Sequence, residues 1–418
     1  MEMVDSISLV LNMKGIVAFG PKHGSILSLS FPTNLFSFYS FPQMLFPGKN
    51  VKLVCVKATA TPTDDQVINR KFKKLPPSRW GHHFLSAQVD VSEMNGLAQE
   101  IEILKLKVGE MLMFSSISVE STKERILLIY MLLSLGVAFH FKDETEEILE
   151  ESFEKINEMI ADEDDLYTIS TMFWVFRTYG YNMSPDVFKR FKGENEKFNK
   201  ESLIGDVKGM VSLYEASHLR TRRDDILDEA LSFTTRNLES LAIAGSSSPH
   251  ILMRIRNALC MPQHYNAEMV FAREYISFYE QEEDHNKMLL RFAKINFKFL
   301  QLNWIQELKS LSMYYSRFFA LLAMFFAIQI DDNSHYIDMF CRWWKQQDLA
   351  SKLPPYFRDR LIECYLLALI VHYEPQFSRG RVALAKINTV LTLVDDTCDR
   401  YAYGNVSEVA ALVHCVER

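Results

Sequence analysis

Glycine and proline are both scarce, with 15 and 13 residues in a chain of 418, against ordinary usage of about 7% and 5%. A sandwich, barrel or propeller of β-strands needs a turn residue roughly every 8–12 positions, and this chain cannot supply them. Collagen-like and low-complexity organisation fails on the same ground. Cysteine is sparse and dispersed. Cys55, Cys260, Cys341, Cys364, Cys398 and Cys415 form no CxxC pair and have no histidine at zinc-ligand spacing. That pattern fits a reducing compartment and argues against a disulfide framework or a structural metal. Long apolar runs are missing: the longest, Phe318–Ile330, has 13 residues and contains Gln329, short of the roughly 18 that would span a bilayer. Positive charge is not in excess either. A formal net charge of −7 and a pI of about 5.9 provide no overall field to recruit nucleic acid or an acidic membrane.

What the chain does have is apolar mass. Residues are 48% hydrophobic and 12% aromatic, which excludes disorder over most of the length and predicts a mostly helical protein of two or three domains with a thick core. Residues 1–60 differ from the rest. They carry five lysines against Glu2 and Asp5, a net of +3, and are rich in Ser and Phe without helical periodicity. The stretch reads as an organelle transit segment processed near Val56–Ala60, or else as a disordered leader.

Helical periodicity takes over from about residue 94, where Leu97, Ile101, Leu104, Val108, Met111 and Leu112 recur at three- and four-residue steps. Further helices are predicted over 124–135, 144–160, 166–179, 201–217, 224–239, 249–260, 267–281, 284–312, 355–373 and 379–399. Asp162-Glu163-Asp164-Asp165 places acids where a helix dipole favours them, and reads as a capping cluster for the helix from Leu166.

The strongest chemical signal is Asp395-Asp396-Thr397-Cys398-Asp399. Asp395 and Asp399, four apart, and Asp396 and Asp399, three apart, share one face of a helix. The preceding turns are apolar, from Val382 to Val394. Carboxylates on a buried helix need a cationic partner, and hard divalent ions with oxygen ligands are suited to that role. The other reading is a helix terminus entering solvent. Arg358 and Arg360 lie on the preceding predicted helix. Arginine forks bind phosphate oxygens bidentately, although ion pairing with Asp348 or Glu363 would also account for them. A third element is Arg70-Lys71, then eight residues, then Trp80, within Lys73-Lys74-Leu75-Pro76-Pro77-Ser78-Arg79-Trp80-Gly81-His82-His83-Phe84.

Together these elements resemble the plant terpene synthase signature of R(R/P)x₈W, then RxR, then DDxxD. Leu135–Phe141, Asp165–Thr168, Tyr179–Ser184, Ser212–Leu219 and His285-Asn286-Lys287 are also similar to the family, and the wording around Trp80 and Asp395 resembles its sesquiterpene-synthase-like clade. The resemblance implies an all-α fold, with an N-terminal α/α-barrel domain followed by a partial class I terpenoid-synthase helical bundle. The implied division is a transit segment at 1–60, an N-terminal helical domain at 61–285 and a metal-binding domain at 286–418. It further implies Mg²⁺-dependent ionisation and cyclisation of a prenyl diphosphate, with Mn²⁺ as the alternative ion. Farnesyl diphosphate, giving a sesquiterpene, is the substrate the clade suggests. Asp395, Asp396 and Asp399 would be the metal-binding and catalytic residues. Arg358 and Arg360, with Asp395 and Asp399, would bind substrate, and Arg70, Lys71 and Trp80 would form a lid. A monomer is expected, with no nucleic-acid partner, in the plastid if the leader is a transit segment and otherwise in the cytoplasm.

Three departures from the family pattern stand out. No second metal motif follows Asp399, so the chain reads as truncated at its C-terminus, and a catalytically inactive homologue or helical interaction remnant is the alternative function. Met313–Cys341 has no counterpart in the family pattern and reads as an atypical insertion. Leu367 occupies the position seven residues after Arg360 where the family carries an aromatic ring.

Overall fold

The computed structural model describes residues 78, 80, 83–113, 119–193, 197–198, 203, 205–222, 224–245, 247–317 and 360–396, and these fall within one compact unit. Arg70, Lys71, Arg358, Asp399, the leader and most of segment 313–341 lie outside the described residues. Those that are described form helices and turns, with no strand among them. No helix among them is long and apolar enough to cross a membrane.

The chain enters through a short 3₁₀ turn, His83–Ser86, and then α1, Val91–Met113. Asp90 starts α1 by accepting from Ser92 N at 2.8 Å, the usual function of an N-cap carboxylate. Ile101, Leu104, Val108 and Leu112 form its buried stripe. Helix α2, Val119–Ser134, stops at Gly136, whose φ is +69°. Val137 N reaches Leu132 O at 3.0 Å and Gly136 N reaches Leu133 O at 3.0 Å, a Schellman closure. A Cβ at Gly136 would also meet the side chains of Met269 and Ala272.

The predicted single helix over 144–160 is two: α3, Lys142–Glu154, and α4, Ile156–Ala161. Lys155, at φ −102° and ψ 12°, leaves helical geometry between them. The acidic cluster acts as predicted for a cap. Asp165 accepts from Thr168 N at 2.8 Å, and Glu163 pairs with Lys123 at 2.8 Å. They open α5, Leu166–Thr178, which is buried along most of its length. Beside it packs α6, Val207–Ser217, also enclosed from Gly209 onward. Helices α7, Asp225–Ala244, α8, Pro249–Cys260, and α9, Glu268–Tyr279, complete the surrounding layer.

Helix α10, Lys287–Arg317, is the longest among the described residues and continues into the first residues of segment 313–341. Its first half contributes Leu289, Leu290, Phe292 and Ala293 to the core of the preceding helices. Its second half faces a helical hairpin made of α11, Leu361–Val371, and α12, Ser378–Asp396. Trp304 Nε1 donates to Tyr373 O at 2.9 Å, and Tyr373 Oη donates to Glu268 Oε1 at 2.5 Å. The hairpin is thereby fastened to both α10 and α9.

A buried ion pair completes that junction. Arg381 is fully buried and bonds Glu307 through both Nη2 and Nε, at 2.6 and 3.1 Å. Its Nη1 donates to His372 O and Glu374 O, each at 2.8 Å, while Tyr365 Oη donates to Glu307 Oε2 at 2.6 Å. The Arg381–Glu307 pair therefore joins α10, α11, the 372–377 turn and α12.

The expectation of a buried α12 needs correction. Val382, Ala385 and Thr389 are buried, but Ile387, Val390 and Leu391 are 56%, 46% and 58% exposed. Leu367 and Val371 on α11 are exposed as well. Only one face of the hairpin packs against α10.

Replacing Arg381 with Met should lower unfolding free energy by roughly 3–5 kcal/mol, because Glu307 loses its cationic partner in the interior and keeps only the Tyr365 hydroxyl. Urea unfolding at neutral pH checks this. His218 supplies a pH-dependent term. Its ring stacks edgewise on Tyr214 and Tyr265, at 4.7 and 5.4 Å, and neither nitrogen has a hydrogen-bond partner among the described residues. Burial first, then Arg220 and His264, lowers its pKa from 6.5 to about 4. The folded state thus favours the neutral ring. The His218 contribution is full above about pH 6.5 and is lost as pH falls through about 4. In His218→Phe, the fall in melting temperature between those two pH values should be smaller by a few degrees.

Candidate active site

The candidate site forms where α11 begins and α12 ends. Arg360 precedes the first turn of α11, and Glu363 lies within that turn, where a negative charge complements the helix dipole. The two helices run antiparallel. Cys364 Sγ lies 3.7 Å from Thr392 Oγ1, and Asn388 Nδ2 donates to Cys364 O at 3.4 Å. One turn back on α11 from Cys364 is Arg360, and one turn forward on α12 from Thr392 is Asp396. The register therefore brings the arginine and the acidic pair to the same end of the hairpin.

The two acids are not equivalent. Asp396 is fully buried, whereas Asp395 is exposed. Successive residues point about 100° apart on a helix, so the pair straddles the edge of the packed face. Both offer carboxylate oxygens, the donor type that hard divalent cations take. Among the described residues, no group of three or more His, Cys, Asp or Glu could hold a metal ion, and Asp399 lies outside them. The donor chemistry fits Mg²⁺; two of the three predicted ligands are placed.

Trp80 reaches this same end of the hairpin through its neighbour. Ser78 Oγ donates to Glu363 Oε1 at 2.7 Å and accepts from Trp80 N at 3.1 Å. The Trp80 ring meets His83 edge-on at 5.1 Å and stacks on Phe84 at 6.4 Å, and Phe84 is buried. The His83 ring also meets Phe84 edge-on, at 5.0 Å. Arg360 Nη1 approaches Glu363 Oε1 at 3.8 Å, so the ion-pair reading of Arg360 is also realised. Leu367, where the family carries a ring, is 39% exposed.

Sequence reasoning gave Ser78 no role and treated Glu363 only as an ion partner. The hydroxyl sits two residues before Trp80, and the carboxylate three residues after Arg360, so proximity to the motifs was the available signal. Nothing local announced that the two would meet.

A concavity lies among the N-terminal helices. It has a volume of about 180 Å³ and is lined by Tyr130, Tyr167, Lys208, Arg254 and Tyr275 among others. Its cations already have partners in the protein. Lys208 Nζ lies 4.1 Å from the centre of the Tyr167 ring, and Arg254 pairs with buried Glu215 at 3.5 Å. None of the described predicted site residues lines it.

Two family models match the chain: "Terpene synthase, N-terminal domain" over residues 79–259, and "Terpene synthase family, metal binding domain" over 345–418. Terpenoid synthase 1 of Arabidopsis thaliana is 73% identical over 417 residues, covering 99% of this chain and 64% of the relative. (Z)-gamma-bisabolene synthase 2 of the same species is 49% identical, covering 83% of this chain and 57% of its own length. Among solved structures, isoprene synthase from grey poplar leaves, in complex with three Mg²⁺ ions and dimethylallyl-S-thiolodiphosphate, aligns with a TM-score of 0.60 and 26% identity. That alignment covers 82% of this chain and 56% of the poplar protein. The chain, spanning about 64% of the length of the first of these relatives, belongs to the terpene synthase family.

Proposed function

We propose that the chain carries the diphosphate-ionising part of a class I terpene synthase, acting on a prenyl diphosphate with release of diphosphate. The observation that carries this reading is the α11–α12 register, which sets Arg360 across from the Asp395–Asp396 pair. Asp395 and Asp396, with Asp399, would hold Mg²⁺. The chemistry a bound Mg²⁺ supplies is neutralisation and orientation of the diphosphate charge.

Arg358 and Arg360 would take diphosphate oxygens through their planar forks, which stay charged in any surroundings. The Trp80 segment, with Arg70 and Lys71 preceding it, would shield the reacting carbon from water. Farnesyl diphosphate is the substrate we propose, supported by the likeness to a relative named for bisabolene. A plastid location follows from the leader's composition, with the cytoplasm as the alternative. The division into a helical domain ending near residue 285 and a metal-binding domain after it belongs to the same proposal.

A second reading, a catalytically inactive homologue or helical interaction remnant, is favoured by one observation. Leu367, Val371, Ile387 and Leu391 expose an apolar face on the hairpin, and contiguous faces of this kind mark contact surfaces.

Incubation of the purified chain with Mg²⁺ and C10, C15 and C20 diphosphates separates the two. Diphosphate release with formation of a C15 hydrocarbon or alcohol is the expected result. In the Asp395→Asn and Asp396→Asn variants, release should fall by about 10²-fold or more, in keeping with the several kcal/mol a held metal contributes. If no product forms from any substrate, the inactive reading replaces the catalytic one for this chain.

A further inference from the structure

The contact between Ser78 and Glu363 joins residues 285 positions apart, and it uses the same carboxylate oxygen that faces Arg360. Glu363 Oε1 receives the Ser78 hydroxyl at 2.7 Å and lies 3.8 Å from Arg360 Nη1. Glu363 Oε2 is buried and has no hydrogen-bond partner among the described residues. Both the arginine and the glutamate retain partial access to solvent, with side chains 22% exposed.

We propose that Glu363 is a positioning residue that couples docking of the Ser78–Trp80 segment to occupancy of Arg360 by an oxyanion. The inference rests on the reading of Arg360 as a diphosphate ligand. With Arg360 near Oε1, the carboxylate is partly neutralised and is a weaker acceptor for Ser78. An oxyanion that draws the guanidinium toward itself restores full negative charge to Glu363. The O–H···O⁻ bond from Ser78 then gains strength, as hydrogen bonds to ionised acceptors do. Because Ser78 also accepts from Trp80 N, the tightening passes into the backbone at Trp80. It continues into the 3₁₀ turn that seats Phe84. The coupling is reciprocal by linkage: if diphosphate tightens the segment, the docked segment tightens diphosphate by the same factor.

A purely structural Glu363, stabilising the first turn of α11, would alter melting temperature without making residues 78–90 respond to a ligand. The test therefore uses the full chain, inorganic pyrophosphate in Mg²⁺ buffer, calorimetric binding and amide hydrogen exchange over residues 78–90. Pyrophosphate should slow exchange there by about 5-fold or more, the lower end of ordinary coupling. Arg360→Ala should abolish both binding and protection. Ser78→Ala should weaken pyrophosphate binding by the same factor. Glu363→Gln should bind pyrophosphate without protecting the segment; if that variant does not fold, Ser78→Ala alone decides. Binding with unaltered exchange, and an unchanged dissociation constant in Ser78→Ala, would overturn the coupling alone. Absence of pyrophosphate binding in the unaltered chain would overturn the reading of Arg360 and the coupling with it.

Discussion

A guanidinium with no exposure to water cannot be left unmatched, and each of the three nitrogens of Arg381 has an acceptor: Glu307 across a two-pronged bond, and the carbonyls of His372 and Glu374 at its other end. Burial alone would make such a charge costly, and only close geometry with every donor directed at an acceptor offsets that cost. The consequence is orientation. Four chain segments must assume one relative arrangement for the bonds to form together, and the hairpin that carries Arg360 and the acidic pair is one of them. The candidate site thereby inherits its placement from an interaction that takes no part in its chemistry.

The site itself is assembled from three parts of the sequence that have little in common. The α11–α12 register aligns an arginine with two aspartates, while a serine far upstream attaches the Trp80 segment to the glutamate beside that arginine. Charge is distributed unevenly across it, with one aspartate inside the packed face and the other outside. This asymmetry suits a cation that must be both held by the protein and open to a ligand. In the aromatic concavity of the N-terminal helices, by contrast, the two cations, Lys208 and Arg254, are already answered within the protein.

Helical class and most element positions could be read from apolar spacing and caps, because those signals are local. Ile101, Leu104, Val108 and Leu112 form the buried stripe their spacing implies, Asp165 caps α5, and Gly136 ends α2. The break at Lys155 escaped because the amphipathic pattern continues across it. The mixed exposure of α12 escaped for a related reason. An apolar run specifies what could be buried, whereas burial depends on which neighbours arrive. Arg360, Asp395 and Asp396 were legible as a motif, since spacing alone recommends them. Ser78, Glu307 and Arg381 were not, because a hydrogen bond between distant residues leaves no periodicity and no spacing to read.

Helix α10 serves both halves of this arrangement, and its regularity has a consequence for how the chain can change. Phe292 and Ala293 are locked into one core while Trp304 and Glu307 must face another. Each residue in an α-helix advances about 1.5 Å and turns about 100°. Adding or deleting a single residue between those two points would swing Glu307 away from Arg381 and shift it along the axis, with no loop between them to absorb the error. Side chains on the outer surface of that stretch are free to drift, but its residue count is not. The helix acts as a phase standard, in which length is constrained more tightly than composition.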